Sequence, residues 1–111
     1  MEILFGTKRL EKLCNSQRDS VKTHGPRRAK LIRRRLDQLR AAANLEVMRN
    51  LPGRCHELTA NRQGTLSVDL DGPYRLIFEP AENPPPAKAD GGLDWPLVTG
   101  IRVLGVEDTH E

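Results

Sequence analysis

Hydrophobic positions along the chain change their period once, near its middle. Glu2–Phe5 carries a short apolar run that reads as an opening strand. Leu10, Leu13 and Cys14 then stand at i, i+3 and i+4 behind Thr7, the pattern of a helix whose first turn a threonine hydroxyl caps. Asn15-Ser16-Gln17 breaks that helix. Gly25-Pro26 punctuates the chain again, with the proline placed to open a second, longer helix. There Ala29, Ile32, Leu36, Leu39 and Ala43 recur at alternating spacings of three and four, one apolar stripe along several turns. Asn44 ends it, and Leu45, Val47, Met48 and Leu51 form a brief apolar turn before Pro52-Gly53.

Beyond that point the period falls to two. Residues 55–58 read as a strand, and Leu66, Val68 and Leu70 alternate with Thr65, Ser67 and Asp69 as a half-buried one. Asp71-Gly72-Pro73 is a tight reversal, because glycine adopts positive φ without steric cost. Tyr74, Leu76 and Phe78 then alternate with Arg75, Ile77 and Glu79, so that Arg75 faces away from the helices if the aromatic set faces them. The Pro/Gly-rich segment 80–97 is a loop, and residues 98–106 form a last strand. Helices followed by strands argue an α+β fold, with two N-terminal helices packed on one face of a small antiparallel sheet. At 111 residues the chain is expected to be one domain spanning 1–111.

Composition narrows the function classes. Hydrophobic residues make up 37% and charged ones 30%, with only four aromatics, so the core is small and mostly aliphatic. No run approaches the ~20 apolar residues that span a bilayer, and the apolar stretch Ile3-Leu4-Phe5 is far shorter than the core of a secretory signal. A cytoplasmic protein without a membrane partner is expected. Cys14 and Cys55 lack metal-ligand spacing; they read as two thiols in a reducing compartment, with one disulfide as the alternative. His24, His56 and His110 are scattered, so neither a metal site nor a cofactor is expected. No phosphate loop, G-x-S-x-G or H-E-x-x-H stretch is present.

Charge is distributed unevenly. Residues 1–50 carry thirteen Lys/Arg against five Asp/Glu, a net +8, whereas residues 51–111 carry five against ten, a net −5. The long helix concentrates the excess in Arg27, Arg28, Lys30, Arg33, Arg34, Arg35 and Arg40, a candidate surface for a polyanion. In the strand half, His56, Arg62, Arg75 and His110 are the candidates for chemistry. Taken singly, each reads equally as a solvated surface group. Brought together on the open face of a sheet, they suit metal-free RNA cleavage: one group takes the ribose 2′-OH proton, arginines stabilise the phosphate, and another group protonates the leaving oxygen.

The ordered series Leu51-Pro52-Gly53, His56-Glu57-Leu58, Asn61-Arg62, Gly64 and Gly72-Pro73-Tyr74-Arg75-Leu76-Ile77-Phe78, closed by Val106-Glu107-Asp108-Thr109-His110, resembles the HigB-like killer proteins of the RelE/ParE toxin superfamily. The resemblance implies the toxin of a type II toxin–antitoxin system: a ribosome-dependent mRNA endonuclease, neutralised by a HigA-type helix-turn-helix antitoxin through which the complex binds operator DNA. It implies His56 and His110 as the proton-transfer pair, with Arg62 and Arg75 on the scissile phosphate. It also implies that the basic helix docks on ribosomal RNA. Thr59 and Thr109 depart from the family's lysine and tyrosine. These departures favour an alternative, a binding module of the same fold such as a ParE-like gyrase poison. A DNA-reading role for the arginine-rich helix is a third reading, opposed by the stripe that must pack inward.

Overall fold

The computed structural model describes residues 1–109. The chain runs β1 (Glu2–Phe5), α1 (Lys8–Asn15), α2 (Gln17–His24), α3 (Pro26–Ala41), β2 (His56–Glu57), β3 (Leu66–Asp69), β4 (Tyr74–Pro80) and β5 (Gly100–Asp108). Short 3-10 turns lie at Leu45–Asn50, Ala60–Arg62 and Trp95–Leu97. The α+β expectation holds, with two differences of detail.

The first is a third helix. Ser16 serves both neighbours: its N–H donates to the Lys12 carbonyl at 2.9 Å and ends α1, while its hydroxyl accepts from Asp19 N–H at 3.2 Å and caps α2. What reads as a break is thus a single-residue corner between helices. Gly25, at φ +82°, donates to the Val21 carbonyl and closes α2, and Pro26 opens α3 as expected. The second difference is in the sheet, whose order is β1-β5-β4-β3-β2. β2 through β5 pair antiparallel, but β1 pairs parallel to β5, so the sheet is mixed. Hydrophobic period reports which faces a strand buries, not which strand lies beside it.

Ala29, Ile32, Leu36 and Leu39 of α3 are buried, the last three against Leu66, Val68, Leu76, Phe78, Ile101 and Val103 of the sheet. Ala43, expected in this stripe, is exposed; the helix stops at Ala41, and Ala42 is the residue turned inward. Asn44 caps the next turn instead, its side chain accepting from Glu46 N–H. Leu45 and Met48 from that turn close one end of the core, with Trp95 and Val98 beside them. The proline-rich segment is a built loop, tied by a bridge between Ala87 and Leu93. No helix of the described residues is long and apolar enough to cross a membrane.

Candidate functional site

Registers determine which side chains share the sheet face that α3 leaves uncovered. His56 pairs with Ser67, Ser67 with Ile77, and Ile77 with Gly105, forming one row across four strands. Two residues along, Asp69 pairs with Arg75, and Arg75 with Glu107. Strand alternation places both rows on the same face. Ser67 and Ile77 are buried there, Ile77 outside the main core cluster. Arg62, from the β2–β3 connection, reaches across to Glu107, so that connection folds over this face.

The face is an ion lattice. Arg62 forks onto Glu107 with bonds of 2.9 and 2.8 Å, and this pairing holds the Glu107 carboxyl below its ordinary range. Asp69 receives Arg54 at 2.7 Å and Arg75 at 2.8 Å. Arg75 donates further to the Gly72 and Tyr74 carbonyls, which fixes its guanidinium against the β3–β4 turn. Three arginines face two carboxylates, so the lattice keeps a net positive charge for an anion. His56 stands at its border. Its Nδ1 lies 2.7 Å from the Arg54 carbonyl, so Nδ1 is the donor, and in the neutral ring the lone pair stands on Nε2. Arg54 and Ala60, on either side of β2, both adopt positive φ (49° and 55°), a cost that non-glycine residues bear where a carbonyl or loop must be aimed.

Three of the four expected chemical residues therefore share one face. From sheet spacings, Arg75 Cα is about 12 Å from that of His56 and about 8 Å from that of Thr109. Arg75 thus stands between β2 and the end of β5. Thr109 is held there by two bonds to the Pro73 carbonyl, one from its N–H and one from its hydroxyl. His110 lies outside the described residues. Glu107 and Asp69 were not anticipated. The alternation Val106-Glu107-Asp108 was readable, but only the β4–β5 register reveals Glu107 opposite Arg75.

The basic helix divides. Arg35 is not a surface contact: it is 7% exposed, with Nε donating to the Asp69 carbonyl at 2.8 Å, and burial lowers its pKa. Arg28 is committed as well, forked onto Asp71 and stacked 3.3 Å over the Tyr74 ring, so it clamps α3 to the β3–β4 turn. Arg40 contacts Asp37 and Asn15. Arg27, Lys30, Arg33 and Arg34 are exposed, and the last three form no ion pair among the described residues. Because α3 packs on one side of the sheet, these cations and the His56–Arg75 face lie on opposite sides of the molecule. Cys14 and Cys55 are separate thiols, pushed up to about 11 and about 12 by burial. No group of acidic, His or Cys side chains among the described residues has the arrangement of a metal site.

The α+β architecture, helices with a five-stranded mixed sheet, matches the fold of the YoeB toxin. A chain of the YoeB-YefM complex from Staphylococcus aureus superposes with a TM-score of 0.55 at 14% identity, the match covering 100% of this chain and 98% of that one. A chain of the YoeB dimer from the same organism gives 0.54 at 16% identity, covering 100% and 97%. The likeness is one of fold. No protein-family model and no curated protein sequence matches the chain.

Proposed function

We propose that this protein is the toxin of a type II toxin–antitoxin system, an endoribonuclease that cuts mRNA on the ribosome in the cytoplasm. The observation that supports this most directly is the shared face of His56, Arg62, Arg75 and Glu107. An RNA phosphate over Arg75 has His56 on one side and the end of β5 on the other. His56 Nε2, with its lone pair free, takes the 2′-OH proton, the 2′-oxygen attacks phosphorus, and the 5′-oxygen leaves. The proton that this oxygen needs comes from His110, a role that rests on the resemblance to HigB-like proteins. Arg75 is already oriented and stabilises charge on the phosphoryl oxygens without rearrangement. Arg62 exchanges the Glu107 carboxylate for phosphate and so keeps a bidentate anion throughout.

Ribosome dependence draws support from the two-sided charge. A chain with free cations on the outer surface of α3 and a reactive face across the sheet suits a cleft between two RNA surfaces. Ribosomal RNA then lies along Arg27, Lys30, Arg33 and Arg34, and the message lies along β2–β5. The partner is a HigA-type antitoxin, which carries the operator-binding helix-turn-helix. Thr59 and Thr109 motivate the competing reading, a gyrase poison of the same fold. The two are separated by incubating purified toxin with ribosomes programmed with a short message. The nuclease reading expects a cut dependent on ribosomes and lost in Arg75→Gln and His56→Ala. Intact message together with a DNA-damage response in cells would select the gyrase reading.

A further inference from the structure

Ser20 is 3% exposed, and its hydroxyl has no hydrogen-bond partner. A buried hydroxyl in a helix ordinarily finds a carbonyl or a water, and one left alone destabilises the fold. Ser20 lines a crevice of about 220 Å³ where the α1–α2 corner meets the flank of α3. The other polar groups there are Asn15, Gln17, Arg33, Asp37 and Arg40. Asp37, which lines both this crevice and the adjoining groove, is 3.6 Å from Arg40, whose other nitrogen donates to Asn15, so Arg40 is spent on these two and, among the described residues, Arg33 is left as the free cation of the crevice. Arg33 has no ion pair among the described residues. It also lines an adjoining groove of about 550 Å³ that holds Lys30 and Arg34. Gln17, the first residue of α2, lines both, so the positive end of that helix dipole adds to the same field.

We propose that this crevice seats one phosphate of an RNA backbone, held by the Arg33 guanidinium and the Ser20 hydroxyl, with neighbouring phosphates running along Lys30 and Arg34. The inference rests on the RNA-docking part of the function proposed above and assigns it a specific seat. Arg33 supplies charge; Ser20 supplies the neutral donor that its own fold leaves unused. The hydroxyl is closed from solvent in the structure, so the ligand must displace part of the crevice lining to reach it. Such a seat fixes the register of the docked strand while remaining blind to its bases.

The test compares wild type with Ser20→Ala and Arg33→Gln, measuring fluorescence anisotropy of a labelled single-stranded oligouridylate across a salt series, and thermal melting without RNA. Ser20→Ala is expected to raise Tm by a few degrees, since an unpaired buried hydroxyl is removed, and to weaken RNA binding about threefold with an unchanged salt slope. Arg33→Gln is expected to weaken binding about tenfold and to lower the slope by about one. A Ser20→Ala protein that binds RNA like wild type overturns the proposal whatever its melting temperature, because the hydroxyl then contributes nothing to the seat. Unchanged binding in Arg33→Gln overturns it equally. These readouts involve no cleavage: the seat is read from binding alone, and a protein that binds in this way yet cuts no message keeps the seat while losing the nuclease reading.

Discussion

Replacing Arg35 by methionine separates core from docking surface within one run of arginines. Methionine keeps the length of the aliphatic stem, so the packing beside Gly53 and Val68 is largely retained. What disappears is the charge-assisted bond from Nε to the Asp69 carbonyl and a weaker one from the guanidinium to Gln38, at 3.2 Å. A hydrogen bond to a charged group contributes roughly 1.5–3 kcal/mol. Burial opposes the charge and lowers the pKa of Arg35, so its removal recovers part of that amount. The net loss is about 1.5 kcal/mol, which for a domain of this size lowers Tm by about 6 °C. Arg34→Met, one residue away and exposed without an ion pair, is expected to stay within about 0.5 kcal/mol of wild type while weakening RNA binding and reducing its salt slope. Thermal melts read by circular dichroism, paired with RNA anisotropy, give both numbers. An Arg35→Met protein that melts with wild type and loses RNA affinity as Arg34→Met does would put Arg35 on the docking surface and not in the core.

Other positions give equally definite expectations. Gly53→Ala is expected to cost about 2 kcal/mol or more in chemical denaturation, because φ is +114° and a Cβ would lie 2.7 Å from the Val68 side chain and 2.9 Å from Arg35 Nε. Gly72→Ala, at φ +52° with open space around it, should cost only about 1 kcal/mol. Burial, aided by Arg28 and partly offset by Asp71, lowers the pKa of His24 from 6.5, and its Nε2 is buried without a partner. The unfolded chain therefore binds a proton near pH 6.5 that the folded chain refuses. Stability should fall as pH drops from that value towards the folded pKa, and denaturant titrations of His24→Gln should lack this slope. Glu107→Gln is expected to retain the fold yet release Arg62, which gel-resolved cleavage by programmed ribosomes would report as altered turnover with intact melting.

Element types were legible where side-chain period speaks: the α3 stripe, the β3–β4 hairpin at Asp71-Gly72, and the outward side of Arg75 all follow from spacing. Elements whose placement depends on partners were not. Ser16 looks like a break because a cap and a corner share the same residue type, and nothing in Glu2–Phe5 announces a parallel neighbour more than ninety positions away. The same limit applied to charge. Seven cations in one helix look alike in sequence, yet Arg35 turns inward and Arg28 is clamped on Tyr74, because the Asp69 carbonyl and Asp71 happen to be in reach. His56, Arg62 and Arg75 were readable as chemistry-bearing types. The carboxylates that order them, Asp69 and Glu107, became visible only through cross-strand register. Thr109, read as a missing tyrosine, is in the fold a hydroxyl that ties β5 to Pro73.

Ribosome-dependent cleavage at the His56–Arg75 face can be read by mapping mRNA 5′ ends across the transcriptome after brief induction. Wild type is expected to generate new ends inside translated codons within minutes. His56→Ala, with the same soluble level and melting temperature, should generate none. Growth arrest by wild type without new ends, or the same ends from His56→Ala, would mean that this face does not cut mRNA.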